Sequence, residues 1–438
     1  MALSVPDAAS PASPQKKSKG RASVSEAISV LAELFPPEFH SSLFVVGGAV
    51  RDHIQGKLFQ DLDLVTKLPP EQFLQRGFDL VGGNSTSPIL FSTHPRFGKI
   101  EVTVLPPEQS LQDDLLRRDF RCNAILMSLD GVIHDPLGGS EDIRLKRLYP
   151  CRTTSLRDDP IRFFRALRFA SHGWNLSPGL CELLSPAEVA VLERLLQPIP
   201  VERFTREMSL SMLGGAPWRF FALMGRFQLG KSFLPEMFGM AAVPVAPSSH
   251  YGEGNLLKHA LACLRRISPL SADPAARLAT FFHDIGALAS SDGPPPWSRK
   301  YHQTGCDLVR TMAVRLRLPE RTARAIMAAV TLHRAGGRWQ ELQQSTRITL
   351  AQRALKSGIA PFFPLLVAAV NGKTEALPGW EIYLELVRLS PTELGMDAPA
   401  LALMTAAQRS SLIMQYRHRK LKLMENLNKE QEEGVAER

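Results

Sequence analysis

Apolar residues recur at helical spacing from Ser23 to Leu34, and the run Ser42-Leu-Phe-Val-Val then ends on Gly47 and Gly48. That order predicts a helix, a buried strand and a tight turn. Further strand-like runs follow at Leu62–Val65, Ile89–Ser92, Ile100–Leu105, Ala124–Ser128 and Val132–His134, mixed with shorter helical patterns. Beyond Leu156 long amphipathic stretches of Leu, Arg and Glu take over, punctuated by Pro and Gly, and strand signals cease. Breaks between helical units are expected near Val243–Pro247 and Gly293–Pro296, and a basic then acidic helical tail that frays from Tyr416. No internal repeat is evident. The expected class is α+β, with an arm over 1–22, a mixed β-sheet head with helices over 23–150, and helical segments over 151–215, 216–345 and 346–438.

A chain of 438 residues is long enough to place chemistry and substrate grip in different domains. Its net charge of +9 suits a polyanionic partner, since clustered Lys and Arg gain counterion-release free energy on phosphates. Charge alone leaves nucleic acid and an acidic membrane surface both open. No run of about 18 apolar residues occurs, which excludes a spanning helix. Residues Met1–Ala22 are rich in Ala, Ser, Pro and Lys without a hydrophobic block, the composition of a disordered arm and not of a secretory signal. A cytoplasmic protein is expected. The five cysteines are scattered without a CxxC pair, which fits reduced thiols better than a disulfide framework or zinc ribbon.

The densest chemistry lies in Val46-Gly-Gly-Ala-Val-Arg51-Asp52, followed by Gln60-Asp61-Leu62-Asp63-Leu64. On a strand, Asp61 and Asp63 share one side while Leu62 and Leu64 point to the core. Two carboxylates so placed can bridge two Mg2+ ions about 3.5–4 Å apart, one at the attacking hydroxyl and one on the triphosphate of an incoming nucleotide. Gly47 and Gly48, without Cβ, let backbone N–H groups approach the β and γ phosphates, and Arg51 can neutralise the same charge. A bare DxD is ordinarily a solvated turn; the GG turn and arginine in the same short window turn the reading toward catalysis. Glu101, in the alternating run Lys99–Val104, is a candidate third carboxylate supporting the metals or polarising a 3′ hydroxyl, or else a solvent-facing strand residue.

The stretch GGAVRDHIQGKLFQDLDL resembles the signature of the class II tRNA nucleotidyltransferase and bacterial poly(A) polymerase family, within the polymerase-β-like superfamily. Four more blocks follow in the family's order. Arg117-Arg118-Asp119-Phe120-Arg121-Cys122-Asn123-Ala124 resembles its RRDFTxNA block, which implies that Arg118, Asp119 and Asn123 hold sugar and phosphates. Asp135-Pro-Leu-Gly-Gly139 with Asp142 is similar to DPxGGxxDL; Asp158-Asp159-Pro-Ile-Arg162 with Arg165 and Arg168 is similar to EDxxRxxRxxRF, with Asp158 where Glu is usual; and Val201-Glu202-Arg203 is similar to the helical ER block. The resemblance runs from Val45 to Glu207. It implies a polymerase-β-like nucleotidyltransferase head followed by an all-α neck, body and tail, Mg2+ as cofactor, CTP and ATP as nucleotide substrates, and the acceptor stem and 3′ end of tRNA as partner.

Asp159 and Arg162, at i and i+3, offer an acceptor and donors side by side on an expected helical face. In the family such a pair acts as a protein template. Asp159 would accept from the amino group shared by cytosine and adenine and Arg162 would donate to a ring nitrogen, leaving uracil and guanine with unpaired buried groups. An isolated i, i+3 pair is more often a surface salt bridge. The five arginines from Arg152 to Arg168, interleaved with Phe163, Phe164 and Phe169, favour a nucleotide-facing helix carrying Arg165 and Arg168 as further ligands. The sequence departs from the family between Glu101 and Arg117. Only Pro106–Leu116 stands where CCA-adding members carry a longer flexible loop that re-tunes the site from CTP to ATP, so addition of CC alone is a reading on equal terms with CCA.

Farther on, His283-Asp284-Ile-Gly, with His259 upstream and His302 and His333 downstream, resembles the HD phosphohydrolase domain of some family members and implies an HD-like body over 216–345. His259, His283 and Asp284 are candidate ligands of a second divalent metal. Asn371 stands where the family's last aspartate is expected and Ala287 replaces its lysine, which weighs against hydrolysis. Three rival readings remain: a poly(A) polymerase, an HD-domain metal phosphohydrolase with a vestigial transferase head, and a non-catalytic RNA-binding protein.

Overall fold

The structure, a computed structural model, describes residues 22–59, 61–81, 88–244, 254–289, 299–373, 377–397 and 403–436. Residues 1–21 of the expected arm, most of the break at Val243–Pro247, and all of Gly293–Pro296 lie outside them. Two compact units divide at Ser155 and Leu156.

The first unit is built on a seven-stranded mixed sheet. Its strands are β1 (Leu43–Val46), β2 (Leu62–Thr66), β3 (Asp79–Val81), β4 (Ile89–His94), β5 (Gly98–Val104), β6 (Leu126–Ser128) and β7 (Ile133–His134), in the order β3-β4-β5-β2-β1-β6-β7. All neighbours run antiparallel except β2 and β5, which are parallel with Asp63 opposite Glu101. Helices α1 (Val24–Leu34), α2 (Gly48–Ile54), α3 (Glu71–Leu74), α4 (Leu111–Leu116) and α5 (Gly139–Leu145) complete the unit. Ser23 and Ser110 start α1 and α4 with capping boxes that satisfy the first orphan N–H groups. Leu62 and Leu64 are buried on one face of β2. On the other face Val65, with Val46, Leu105, Leu115, Ala124 and Leu126, forms a core cluster. Asp63 sits at the margin of that cluster, cross-strand from Val46. Strand β3, wholly exposed and three residues long, carries no alternation and was not legible as a strand.

Among its described residues the second unit is helical apart from the two-residue strand Asn175–Leu176. Its helices are α6 (Ser155–Asp158), α7 (Ile161–Ser171), α8 (Pro178–Glu182), α9 (Pro186–Leu196), α10 (Val201–Ser211), α11 (Trp218–Phe227), α12 (Pro235–Met240), α13 (Leu256–Ile267), α14 (Pro274–Phe281), α15 (Arg299–Arg315), α16 (Glu320–Gly337), α17 (Gln344–Lys356), α18 (Phe363–Asn371), α19 (Trp380–Arg388) and α20 (Ala406–Ala436). Helix α7 packs on α10 and α11 through Phe164, whose ring meets Phe204 of α10 at 4.9 Å and Phe220 of α11 at 6.4 Å. Phe163, Phe164 and Phe169 are all buried, so these aromatics build the core of the helical unit. The tail helix α20 is tied to α17 and α19. Arg417 turns inward to Gln352 and the Val387 carbonyl, and Leu421 is fully buried. Among the described residues no helix is long and apolar enough to cross a membrane.

Candidate active site

The acidic pair stands where the pleat requires. Asp61 is exposed just before β2, Asp63 is half-buried within it, and Glu101 on β5 is the parallel partner of Asp63. Partners in parallel register direct their side chains to the same face, so Glu101 lies on the face that carries Asp63. Glu101 also meets Lys99 at 2.6 Å on the exposed surface. A face of hard carboxylate oxygens is the donor set that Mg2+ takes.

Gly47 leads from β1 into α2 with φ of 78° and ψ of −135°, a conformation open to glycine and strained for other residues. A Cβ there would stand 3.1 Å from Oδ2 of Asp63 and 3.5 Å from Nη1 of Arg118. The turn therefore packs directly against the Asp63 carboxylate. Gly48 is the first residue of α2 and has looser surroundings, with Nη2 of Arg51 at 3.5 Å.

A single hydrogen-bonded chain joins three of the remaining expected ligands of the head, Arg51, Asn123 and Asp119. Arg51 donates from Nη1 to Oδ1 of Asn123 at 2.7 Å, and Asn123 donates to both oxygens of the buried Asp119 at 3.0 and 3.2 Å. Arg51 also bonds Asp52, and Asp119 accepts from the Phe120 N–H. Arg118 is fixed differently. The carboxylate of Asp114, 1% exposed, takes Arg118 at 2.9 Å on one oxygen and Arg117 at 2.6 Å on the other. Asp114 was missed from sequence. The signal was its spacing of three and four residues from the two arginines, which puts all three groups on one helical face.

The glycine-rich block after β7 is scaffold for this chain. Asp135 accepts from the N–H groups of Gly139 and Ser140 at 2.7 and 2.8 Å and so caps α5. Gly139 passes so close to the backbone of Arg121 that a Cβ would fall 2.2 Å from its carbonyl oxygen. Asp142 then grips the Arg121 guanidinium with bonds of 2.7 and 2.6 Å, and that guanidinium stacks on Tyr149 at 4.1 Å. Burial pushes the Asp142 carboxyl up, and the Arg121 hydrogen bond pulls it only part of the way back.

In the second unit the expected base-reading residues differ in one respect from the sequence expectation. Asp159 is not on a helix. It lies between α6 and α7, and Pro160, which has no N–H to continue a helix, separates it from Ile161. The Arg162 N–H still bonds the Asp159 carbonyl at 3.0 Å. The Asp159 carboxylate is held at 2.6 Å by Arg203, so the ER block serves to orient it. Arg168 pairs with the buried Glu207 at 2.6 Å and braces α7 against α10.

The candidate second metal ligands do converge. Nε2 of His259 lies 3.2 Å from Nε2 of His283, which lies 3.4 Å from the Asp284 carboxylate, and His333 reaches that carboxylate at 3.1 Å. Cys263, unremarked in the sequence although four residues from His259 on one helix, joins them; Tyr301 donates to Asp284 at 2.6 Å. His302 belongs to neither of the two ligand triads found among the described residues. Burial, and then the neighbouring His283, push the His259 imidazole down to about 3, so it is neutral. Burial pushes the Asp284 carboxyl up, but His283 and His333 more than reverse this and hold it well below the carboxylate range.

Residues 43–106 and 91–149 match the family model of the poly A polymerase head domain. The multifunctional CCA protein of Methylococcus capsulatus is 30% identical over 345 residues, covering 74% of this chain and 80% of the relative. In fold, the chain is similar to the crystal structure of the Bacillus stearothermophilus CCA-adding enzyme in complex with CTP (TM-score 0.58, 24% identity, covering 87% of this chain and 85% of that one). It is likewise similar to the Thermotoga maritima CCA-adding enzyme complexed with tRNA (TM-score 0.54, 15% identity, 92% and 95% covered). The chain thus belongs to the class II CCA-adding enzyme and poly(A) polymerase family, as an enzyme of the CCA tRNA nucleotidyltransferase type.

Proposed function

We propose that this enzyme extends the 3′ end of tRNA without a template, by nucleotidyl transfer at Asp61, Asp63 and Glu101, and that it adds two cytidines and then little or no adenosine. The observation that carries the transferase reading is the parallel register of β2 and β5, which sets Glu101 beside Asp63 on one face next to the Gly47 turn. Two Mg2+ ions held by Asp61 and Asp63 would supply activation of the 3′ hydroxyl and charge neutralisation at the triphosphate.

The chain's own groups do the rest. The Gly47–Gly48 turn admits the β and γ phosphates to backbone N–H groups, and Arg51 and Arg118 carry the compensating charge. Asp119 and Asn123 hold the sugar. Because Arg51, Asn123 and Asp119 are hydrogen-bonded in series, phosphate and sugar ligands stay in fixed relation, which is the positioning that nucleotidyl transfer needs. Base choice falls to Asp159 and Arg162, with Arg165 beside them. Arg203 fixes one oxygen of Asp159 and leaves the other for an exocyclic amino group. Arg168 contributes through Glu207, by holding α7 in place. RNA is held by phosphate contacts and shape along the acceptor stem, in keeping with the charge of +9.

The preference for cytidine rests on Pro106–Leu116. Accommodating adenine after cytosine requires the reading edge to shift, and a lever must supply that shift. What stands here is α4, begun by the Ser110 capping box, with Leu115 buried in the core cluster and Asp114 locked to two arginines. Such a segment is anchored at every turn. The test is adenosine addition to tRNA ending in CC, by this chain and by a variant carrying a family-length loop between Val104 and Leu111. Poor addition by the first and a gain in the second supports the reading; efficient addition by the first overturns the loop argument while leaving the transferase assignment intact.

A further inference from the structure

Helix α10 presents two sides to two different neighbours. On one side Arg203 holds the Asp159 carboxylate at 2.6 Å, and Glu207, a turn farther on, holds Arg168 of α7 at 2.6 Å. On the other side Glu202 and Thr205 reach the C-terminal end of α15. Thr205, 7% exposed, donates from Oγ1 to the Leu316 carbonyl at 2.6 Å, and Glu202 pairs with the Arg317 guanidinium. Positions 203 and 205 lie about 200° apart around a helix, so one turn of α10 makes both contacts from opposite sides.

The end of α15 is shaped to receive α10. The Arg317 N–H bonds the Val314 carbonyl and the Leu318 N–H bonds the Ala313 carbonyl, the paired bonds of a Schellman motif. The Leu316 carbonyl is among the acceptors left over at a helix end, and Thr205 supplies its donor. Arg317 takes the left-handed position of the motif, with φ of 48°, where glycine is the ordinary occupant. A side chain there is strained relative to glycine, and the guanidinium it carries goes to Glu202. That pair is exposed and weak by itself, so the buried Thr205 hydrogen bond beside it sets the register. The same end of α15 is anchored in turn: Nη2 of Arg315 bonds both oxygens of Glu236 on α12 at 2.5 Å. The apolar side of α10, where Phe204 stacks on Phe233 at 4.8 Å, buries the helix without fixing its slide, because such packing is non-directional.

We propose that Thr205, supported by the Arg317–Glu202 pair, is a positioning residue for base selection: it registers α10 on the end of α15 and thereby sets where Arg203 holds the Asp159 carboxylate. A recognition group has to be held to within about 0.5 Å of its working place, and a hydrogen bond of fixed geometry on the far side of the same helical turn supplies that. The inference rests on the reading of Asp159 and Arg162 as the base-selecting pair.

The test measures kcat/KM for CTP and for UTP on tRNA lacking its CCA end, with thermal unfolding alongside, in the full chain and its variants. Thr205→Val keeps the side-chain shape and removes the donor. It should lower the CTP-over-UTP ratio roughly 2–30-fold, the range expected for a residue acting through a packed network, and Thr205→Ser should restore it. In an Arg203→Ala background Thr205→Val should lower the ratio no further, since its route to Asp159 is gone. Arg317→Gly should hold or raise the unfolding midpoint, by relieving the left-handed position, while the ratio still falls; a purely structural role predicts no fall. Equal losses with both nucleotides in Thr205→Val, or a full additional loss in the Arg203→Ala background, overturn the proposal. Should Thr205→Val fail to fold, Arg317→Gly decides, and an unchanged ratio there overturns it. Arg162→Ala separates the two claims: a ratio lowered by Arg162→Ala and untouched by Thr205→Val sinks the positioning role alone, whereas a ratio untouched by Arg162→Ala sinks the base-reading assignment and this inference with it.

Discussion

Replacing the two adjacent glycines one at a time separates backbone geometry from mere smallness. Gly47→Ala puts a side chain on a residue at φ 78°, ψ −135°, which costs about 1–3 kcal/mol in backbone strain. The new Cβ also lies 3.1 Å from Oδ2 of Asp63, so the carboxylate must give by a few tenths of an ångström. Gly48→Ala meets only ordinary contact at 3.5 Å from Arg51 and sits at a helical position, where alanine is favoured over glycine by up to about 1 kcal/mol. For a unit of this size, a loss of about 2 kcal/mol lowers the unfolding midpoint by roughly 4–8 °C. Gly47→Ala should show that fall together with a loss of turnover on the order of 100-fold, the scale set by misplacing a reacting group. Gly48→Ala should hold or raise the midpoint, and any loss it suffers should appear in the KM for nucleotide, because its proposed role is to admit phosphate to the backbone. Thermal unfolding followed by near-ultraviolet circular dichroism, with steady-state cytidine incorporation, reads both. Equal midpoints for the two variants would refute the reasoning.

Arg162→Ala should lower the preference for CTP over UTP by at least roughly tenfold in kcat/KM, since a base-edge partner is lost; equal losses with all four nucleotides would make it a phosphate ligand. Asp114→Asn leaves two guanidinium groups without their shared carboxylate. Breaking a buried pair costs roughly 3–5 kcal/mol, which the partial exposure of Arg117 and Arg118, 40% and 21%, reduces to about 1–3 kcal/mol. The KM for CTP should rise more than kcat falls, and an unchanged KM contradicts the role given to Arg118. Gly139→Ala forces a Cβ onto the Arg121 carbonyl, at 2.2 Å, and should cost the head its cooperative unfolding transition; a variant with unaltered melting would show that α5 can shift freely.

Much of the head was legible because its signals are local. Alternation fixed β2 and β5, and a pleat of period two is enough to put Asp61 and Asp63 on the side opposite Leu62 and Leu64. What alternation could not give is partnership. That Glu101 stands opposite Asp63, and not in some other register, depends on a parallel crossover between distant segments. Asp159 was misread as helical because the i, i+3 spacing to Arg162 is compatible with a helix, while the intervening Pro160 starts one. The alternation of arginines and phenylalanines along α7 did not say which residues face the core; the burial of Phe163, Phe164 and Phe169 is a tertiary property. Asp114 and Cys263 each carried a one-turn spacing to the residues they serve, and could have been found. Tyr301 could not, since nothing in the sequence relates it to Asp284, 17 residues away.

The most direct test of nucleotidyl transfer at this site is to incubate tRNA lacking its terminal CCA with CTP, ATP or both, using the unmodified chain and Asp63→Asn, and to measure tRNA binding alongside. Extension by two cytidines whenever CTP is present, abolished in Asp63→Asn while tRNA affinity persists, is the predicted result. Failure of the unmodified chain to extend with any nucleotide, or near-normal turnover by Asp63→Asn, would contradict the account.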